Sequence, residues 1–384
     1  MDPYTIMTQL VAIPSVFPHE GGVSAFIEKV VTELGCQVVR IPSGEDRINL
    51  IVTSYPSDRY LGFYGHIDTV PPDIGYRRNP FEVVSDGSVA RGLGVCDMKG
   101  GLACIIAALA HARVNHLPVK AVFGVDEENI SVGAHALVDS GLMGDIDFLV
   151  VAESGQVTDS SKAYSLGYGR KGRIVLEAMI RGRKAHAAEA ERGVNAILQA
   201  LRFSEILSNL RLASHPRLGA SKIVVQKILA EADAFSVPDA CSITFSLLST
   251  PGVNSAAVAT ELSQRASAEG IEATVRQMPR ETPYCEAYEI DLSHPFLNEL
   301  ERTLFARDGV SPVYNPSVAD ECIFAHRLGM PVLSLGPIGS GDHTADEWVD
   351  IVSLRKTTQV FGEIAEAYAQ KFLINKSAAN SGGY

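Results

Sequence analysis

Hydrophobic and polar positions in residues 1–168 follow two alternating patterns. Helical spacing is typical of amphipathic helices, and short apolar runs between Gly, Pro and polar residues are typical of buried strands. The predicted helices lie at 23–34, 101–113 and 133–139, and the predicted strands lie at 49–53, 60–64, 119–125 and 148–152. Because strands alternate with helices, this part of the chain predicts an α/β domain with a mostly parallel sheet.

The pattern changes near Gly169. The next predicted elements are a strand at 172–181, a helix at 194–210, strands at 222–229 and 241–248, a helix at 255–269 and a strand at 271–277. This order is that of a ferredoxin-like sandwich. The α/β pattern returns after Pro295, with a helix to Arg307, a strand at 331–335 and a helix from 352 to about 372.

We therefore predict two domains, as expected for a chain of 384 residues. A catalytic α/β domain comprises residues 1–168 and 283–374, and an inserted ferredoxin-like α+β domain comprises residues 169–282. The polar residues 375–384 are predicted to be a disordered tail.

Composition narrows the class of protein. Lys and Arg number 33 against 45 Asp and Glu, so the formal net charge of −12 disfavours a broad surface for nucleic acid or anionic lipid. The first residues do not resemble a signal peptide, and no apolar run approaches the ~20 residues of a membrane span. The six scattered cysteines form no C-x-x-C pair, which favours reduced thiols. We expect a soluble cytoplasmic protein.

Acidic and histidine residues collect where the predicted strands end. They comprise His66 and Asp68 after the strand at 60–64, Glu127 and Glu128 after 119–125, Glu153 after 148–152, His343 in the loop after 331–335, and Asp97 in the glycine-rich segment GLGVCDMKGG. The carboxyl ends of parallel strands share one edge of a sheet, so we expect these side chains to meet there.

This set of side chains predicts a metal centre. Imidazole and carboxylate ligands without thiolate suit zinc, cobalt or manganese in a hydrolytic site. Five protein ligands exceed the need of one tetrahedral ion, whereas one bridging carboxylate would give each of two ions three protein ligands. Two neighbouring ions can generate the nucleophile near neutral pH, and a nearby carboxylate must then take a proton. The adjacent Glu127 and Glu128 offer a base and a ligand.

Each residue alone has a simpler explanation. Asp97 would make a good helix N-cap, an Asp-Glu-Glu sequence is commonly a solvated turn, and single histidines are usually surface or core residues. The convergence of four strand ends favours the metal centre over these separate explanations.

Six segments resemble a known family. GHIDTVP, GLGVCDMKGG, DEE, VAESG, GRKAHAAEAERGVNA and GDHTADEWV occur in the family's order over nearly the whole chain. They are similar to the di-zinc family that includes acetylornithine deacetylase, succinyl-diaminopimelate desuccinylase, aminoacylase and bacterial glutamate carboxypeptidase. The resemblance implies that Asp97 bridges the two ions, with His66 and Glu153 completing one site and Glu128 and His343 the other.

The resemblance also implies further roles. Asp68 would orient His66, and Glu127 would be the general base and then the acid for the leaving amine. His186 would come from the inserted domain, which dimerises or forms a lid in the family, and would stabilise the oxyanion in a neighbouring subunit. A homodimer is therefore expected. From the residues alone, His186 could equally be an exposed loop residue.

The chain departs from the family pattern at Ser246–Leu248, where an arginine that grips the substrate carboxylate is common in relatives. Arg170, Lys171, Arg173 or backbone N–H groups between 336 and 341 are possible replacements. Alternatively, the substrate lacks that carboxylate.

The leading functional prediction is hydrolysis of an amide bond in a small N-acyl amino acid or related compound. A dipeptidase or carboxypeptidase of the same family is the alternative. A silent binding protein of the same fold is disfavoured because every proposed ligand and Glu127 are retained. A nucleotide-dependent enzyme is disfavoured because the chain has neither a P-loop pattern nor a strand-linked G-x-G-x-x-G.

Overall fold

The computed structural model describes residues 1–154, 161–232 and 235–381. The chain divides into two compact units. The first unit comprises Met1–Gly169, Ile290–Tyr314 and Ala319–Tyr384, and the second comprises Arg170–Glu289 and Asn315–Val318. The second unit extends seven residues beyond the inserted domain predicted at 169–282, since it ends at Glu289 instead of residue 282. It also includes the short segment Asn315–Val318.

The α-helices are α1 (Pro3–Val11), α2 (Gly21–Glu33), α3 (Lys99–Val114), α4 (Val132–Asp139), α5 (Ala196–Asn209), α6 (Ser255–Ala268), α7 (Pro295–Leu300), α8 (Ala306–Asp308), α9 (Glu321–Leu328) and α10 (Ile351–Ser381). A π-helical turn at Glu301–Phe305 joins α7 to α8, and a 3₁₀-helix covers Ala187–Arg192.

The strands are β1 (Gln37–Pro42), β2 (Ile48–Thr53), β3 (Tyr60–His66), β4 (Val84–Ser85), β5 (Val89–Arg91), β6 (Val119–Gly124), β7 (Ile146–Val151), β8 (Ser165–Arg170), β9 (Gly172–Arg181), β10 (Ser214–His215), β11 (Gly219–Ala220), β12 (Lys222–Leu229), β13 (Ala240–Ser249), β14 (Glu272–Gln277), β15 (Tyr288–Glu289), β16 (Val313–Asn315), β17 (Val332–Gly336), β18 (Gly339–Ser340) and β19 (Trp348–Asp350).

The first unit is built on a sheet whose strands lie in the order β1-β2-β6-β3-β7-β17-β8. The four central strands, β6, β3, β7 and β17, are parallel to one another. The flanking strands β1, β2 and β8 pair antiparallel to their neighbours. Every residue of β3, β6 and β17 is buried, as the continuous apolar runs in their sequences predict. The α/β class with a parallel sheet centre is thus confirmed.

Helix α3 lies in the core of the first unit and brings the chain close to the ends of the strands. Most of its residues are buried, which fits a helix that is apolar on all sides. Gly101, in its first turn, has no room for a side chain, because a Cβ atom there would lie 2.1 Å from the carbonyl oxygen of Ala152. A glycine at this position therefore lets the helix start pack directly on the segment that leads to Glu153.

The second unit contains an antiparallel sheet in the order β12-β13-β9-β14. Along the chain the order is β9, α5, β12, β13, α6 and β14, which is the predicted ferredoxin-like order. Alternate residues of β13, namely Cys241, Ile243, Phe245 and Leu247, lie in the core of this unit. The Asn195 and Asn254 side chains cap the starts of α5 and α6.

Most long elements begin and end close to where the sequence patterns do. The elements that were not predicted are α1, β1, β8, α9, the 3₁₀-helix and the short strands β4, β5, β10, β11, β15, β16, β18 and β19. The last helix is also longer than expected, since α10 continues to Ser381 instead of ending near Phe372. It therefore runs through residues that we expected in a disordered tail at 375–384, of which 382–384 lie outside the described residues.

All six cysteines are buried and free. Within the described part of the chain, none of the helices has the length and apolar character needed to cross a membrane.

Candidate metal centre

Four neighbouring strand ends carry the predicted site residues. His66 is the last residue of β3, Glu127 and Glu128 follow β6, Glu153 follows β7, and His343 lies in the loop after β17 and β18. These four strands are adjacent and parallel in the sheet, so their carboxyl ends line one edge. The structure thus brings together the side chains that we expected to meet.

His66 lies at the buried end of this edge. Its side chain is 1% exposed, and its Nε2 atom lies 2.9 Å from Oδ1 of Asp97 and 3.6 Å from Oε1 of Glu153. The three side chains offer donor atoms that all lie within 4.8 Å of one another. They form the first triad, His66–Asp97–Glu153.

His343 lies at the open end and is 52% exposed. Its Nε2 atom lies 3.3 Å from Oδ2 of Asp97 and 3.2 Å from Oε2 of Glu128. The second triad is therefore Asp97–Glu128–His343, and it shares Asp97 with the first. Asp97 directs one carboxylate oxygen toward each histidine, which is the geometry that a bridging carboxylate requires.

A third grouping also has closely spaced donor atoms: His66, Glu127 and Glu128. Glu127 is therefore near enough to act either as a ligand or as a base. The thiol of Cys96, next to Asp97 in the chain, donates to Ser154 Oγ at 3.2 Å and belongs to none of the three groups. The donor set is thus imidazole and carboxylate, which suits zinc and related divalent ions.

The electrostatics of the cluster fit a bound cation. Oε1 of Glu128 is buried and has no hydrogen-bond partner among the described residues. Burial raises the pKa of Glu127 well above its usual value, and burial together with the charge of Asp97 raises that of Glu128. Hydrogen bonds to Asp97 and Glu128 raise the pKa of His343 to about 11. The negative charge gathered in the cluster contributes to these raised pKa values, and a divalent cation would balance the same charge.

Asp68 contacts both His66 and the turn that carries Glu127 and Glu128. Its carboxylate accepts hydrogen bonds from the backbone N–H groups of Glu127 (3.2 Å) and Glu128 (3.0 Å). Its Oδ1 atom also lies 3.5 Å from Nδ1 of His66, and its backbone carbonyl lies 3.1 Å from the same nitrogen. Asp68 therefore lies within reach of the His66 ring, whose orientation by Asp68 stays a prediction, and it also fixes the turn that carries both glutamates.

Asp126 shapes that turn from the other side. Its backbone has a φ of 72°, in the left-handed region that few non-glycine residues adopt. Its carboxylate accepts hydrogen bonds from the N–H of Val132 at 3.0 Å and from the Arg47 guanidinium at 2.7 Å. The side chain of Arg47 also pairs with the buried Glu20. This network stabilises an unusual backbone conformation one residue before Glu127.

Two buried acids near the cluster were not found from the sequence. Glu347 accepts hydrogen bonds from the backbone of the segment that leads to Asp97. Asp320 is 1% exposed, and its carboxylate accepts a hydrogen bond from the Tyr64 hydroxyl. Burial raises the pKa of Asp320 to about 6. Glu347 lies within the segment GDHTADEWV, four residues after His343, and this position could have identified it as a residue of the site. The local sequence around Asp320 contains no comparable motif.

The remaining predicted residue, His186, belongs to the second unit. It is exposed and lies just before the 3₁₀-helix, where its Nδ1 atom accepts a hydrogen bond from the N–H of Ala188 at 3.1 Å. This bond fixes the tautomer with the proton on Nε2. The role of His186 in catalysis stays a prediction.

The second unit also contains the three side chains considered as replacements for the missing arginine. Arg170 donates to Ser317 Oγ at 2.8 Å, and Lys171 donates to the carbonyl of Ala220. Arg173 donates from Nε to Ser246 Oγ at 3.1 Å. In the register of β9 and β13, Arg173 lies opposite Leu248. Arg173 therefore brings a guanidinium next to Ser246–Leu248, the positions where the sequence departs from the family pattern.

Comparison with known proteins shows the family of this chain. Residues 62–367 match the sequence profile described as Peptidase family M20/M25/M40. The succinyl-diaminopimelate desuccinylase of Acidiphilium cryptum (strain JF-5) is 25% identical over 95% of this chain and 98% of its own length.

Two solved structures share the fold. A tripeptidase from Staphylococcus aureus aligns with a TM-score of 0.75 at 22% identity, covering 95% of this chain and 98% of its own. A dinuclear metal-binding peptidase of the M20 family from Bacillus subtilis aligns with a TM-score of 0.74 at 17% identity, covering 96% and 98%. The chain therefore belongs to peptidase family M20/M25/M40 and is a metal-dependent hydrolase of this family.

Proposed function

We propose that this protein hydrolyses the amide bond of a small N-acyl amino acid, with two divalent metal ions held by His66, Asp97, Glu128, Glu153 and His343. The observation that carries the proposal is the pair of histidine–carboxylate triads that share Asp97. The desuccinylase relative makes an N-succinyl amino acid the first substrate to test. N-acetyl amino acids are the next candidates, because the sequence resemblance includes deacetylases.

Zinc is the proposed ion, with cobalt or manganese as alternatives that the same donor set accepts. In such a site the ions polarise the scissile carbonyl and lower the pKa of water. The stoichiometry of two rests on the two triads and on the dinuclear relative from Bacillus subtilis.

The chain's own residues handle the protons. Glu127 takes the proton of the attacking water and then delivers it to the leaving amine. Burial raises the pKa of its carboxyl, which makes the Glu127 carboxylate a stronger base than an exposed one. Asp68 keeps Glu127 in place through the backbone N–H at 3.2 Å and orients His66. His186 stabilises the oxyanion of the transition state, donating from Nε2.

We also propose that the protein is a homodimer through the second unit, and that His186 serves the partner's site. Strand β12 lies at the edge of its sheet and exposes apolar side chains. Val224, Val225, Ile228 and Leu229 are 42–53% exposed. An exposed apolar edge strand is typical of a surface that pairs with another chain. A cytoplasmic location is also part of the proposal, because the six buried cysteines are free.

Arg173 is our candidate for binding the carboxylate of the amino-acid part of the substrate. Its Nε donates to Ser246, which orients the guanidinium. Within the described part of the chain no hydrogen bond from its two terminal nitrogens is recorded, and these nitrogens suit a bidentate contact with a carboxylate. Among the alternatives of the sequence analysis, Arg170 and Lys171 are more deeply buried, at 4% and 2% exposure.

The alternative function is a dipeptidase or carboxypeptidase, which the structural similarity to a tripeptidase and a dinuclear peptidase favours. Amide bonds of peptides and of N-acyl amino acids require the same metal chemistry, so the triads do not separate the two. A silent binding protein would not need the base Glu127 beside complete ligand sets.

A substrate panel tests the proposal. The zinc-loaded enzyme is incubated with N-succinyl, N-acetyl and N-formyl amino acids, with dipeptides and with tripeptides, and released amine is measured. We expect an N-acyl amino acid to have the highest kcat/KM and the activity to vanish with a chelator and return with zinc. A preference for peptides would select the alternative, and no turnover of any amide by the metal-loaded protein would overturn both.

A further inference from the structure

We propose that Glu347 is a positioning residue that fixes Asp97 between the two metal ions and thereby sets the affinity of both. This inference rests on the proposed function, since it takes Asp97 as the bridging ligand. Glu347 itself belongs to none of the groups of closely spaced ligand atoms found in the described residues. It acts through the backbone that carries Asp97.

Three hydrogen bonds join Glu347 to the segment before the bridging carboxylate. Oε1 accepts from the N–H of Cys96 at 2.8 Å and from the N–H of Asp97 at 3.1 Å, and Oε2 accepts from the N–H of Gly94 at 2.8 Å. Glu347 is 1% exposed, so water does not compete for these donors. A buried carboxylate that accepts three backbone N–H bonds fixes the conformation of the donating segment.

Glu347 also lies on the segment that carries a second ligand. It follows His343 by four residues and directly precedes β19. Strand β19 pairs with β5, which leads to the Gly94–Asp97 segment. Gly341 has a φ of 82°, and a Cβ atom there would lie 2.9 Å from the carbonyl oxygen of Asp346, so the loop folds tightly back on itself. Glu347 thus ties the Asp97 segment to the base of the His343 loop.

The geometry of Asp97 explains why the position of its backbone affects the binding of both ions. Its Oδ1 lies 2.9 Å from the first histidine, His66, and its Oδ2 lies 3.3 Å from the second, His343. The side chain has only two rotatable bonds, so the position of its backbone decides whether both oxygens reach their targets. A displaced backbone at Asp97 therefore weakens both ion positions at once. By contrast, the contacts of Asp68 reach His66 and the turn of Glu127 and Glu128.

A carboxylate is required because all three partners are donors. In Glu347→Gln the amide has one acceptor oxygen, and its NH2 group would face a backbone N–H, so at least one hydrogen bond is lost. Glu347→Asp keeps the charge but is one methylene shorter and cannot reach all three donors.

Asp346→Asn is the matched control: Asp346 is exposed, and its side chain makes no hydrogen bond or ion pair that the structure records among the described residues.

The test measures metal affinity without any substrate. Zinc and cobalt are titrated against a chelator of known affinity, and the absorption spectrum of the cobalt-loaded protein reports ligand geometry. We expect Glu347→Gln and Glu347→Asp to lose roughly 10–100-fold in affinity for both ions together, with an altered cobalt spectrum. Asp346→Asn should match wild type. The Tm of the metal-free proteins is measured in parallel, because a purely structural residue would lower Tm and leave metal affinity unchanged.

Each outcome decides something. Wild-type protein that binds no divalent ion would refute the proposed function itself. Wild-type protein that binds two ions, with Glu347→Gln binding both as tightly, would overturn the positioning role and leave the function standing. Loss of one ion only would also overturn it, because the proposal requires a parallel effect. If neither variant folds, Glu347 supports the fold and not the ions, and the proposal is wrong.

Discussion

Replacing Glu127 by glutamine separates the proposed base from the proposed ligands. Glutamine has nearly the same shape but cannot take a proton from water. The backbone N–H of Glu127 donates to Asp68 at 3.2 Å, and the substitution leaves this N–H in place, so the turn should keep its conformation. Metal binding should therefore survive while turnover falls.

The expected loss follows from the role of a general base. Such a group contributes typically 10²–10⁴-fold, which corresponds to about 3–5 kcal/mol in the activation free energy. The upper part of this range is expected, because Glu127 also delivers the proton to the leaving amine. Hydrolysis of the best amide from the substrate panel gives kcat, and elemental analysis of the same sample gives the metal content.

Glu128→Gln is the matched control one residue away. Glu128 lies 3.2 Å from His343 Nε2, and so its substitution should weaken the ion of the second triad. Glu127→Gln with activity within tenfold of wild type would refute the role of the base. Glu127→Gln that loses an ion would instead make Glu127 a ligand, as the grouping of His66, Glu127 and Glu128 permits.

Three further predictions concern single residues and the dimer. His66→Ala and His343→Ala should each weaken mainly one ion, seen in metal titrations; equal loss of both ions from either variant would contradict two separate triads. His186→Ala should lower kcat by ~10²–10³-fold with unchanged metal content. Mixed dimers of His186→Ala and Glu127→Gln subunits should regain activity if His186 serves the partner's site, and proven heterodimers without activity would refute that. Wild-type protein should sediment as a dimer at micromolar concentration, and Ile228→Asp as a monomer; a monomeric wild type would refute the dimer.

Much of the fold could be predicted because the long elements carry strong local patterns. The parallel strands β3, β6 and β7 are continuous apolar runs, and the alternation in β9 and β13 marks a sheet with one face in the core. The predicted ligands could be found because they follow these strands directly. Their convergence depends only on the strands being adjacent and parallel.

The missed features depend on contacts between distant parts of the chain. Strand β1 has only partly buried and exposed residues, so it lacks an apolar run, and it is defined by its pairing with β2. The carboxylate of Asp320 meets the hydroxyl of Tyr64, 256 positions away, and Glu347 meets Cys96 and Gly94 across about 250 positions. The spacing of residues along the chain does not predict such long-range pairs. Asp320 and Glu347 are recognised as buried acids only when their hydrogen-bond partners are known.

The most direct test of the whole account is the metal content of Asp97→Ala beside that of wild type. Both proteins are purified, loaded with zinc, dialysed, and measured by elemental mass spectrometry together with a Tm that shows folding. The account predicts two zinc ions per wild-type chain and none in folded Asp97→Ala, because both triads use this carboxylate. One ion or none in wild type, or one ion kept by Asp97→Ala, would contradict it.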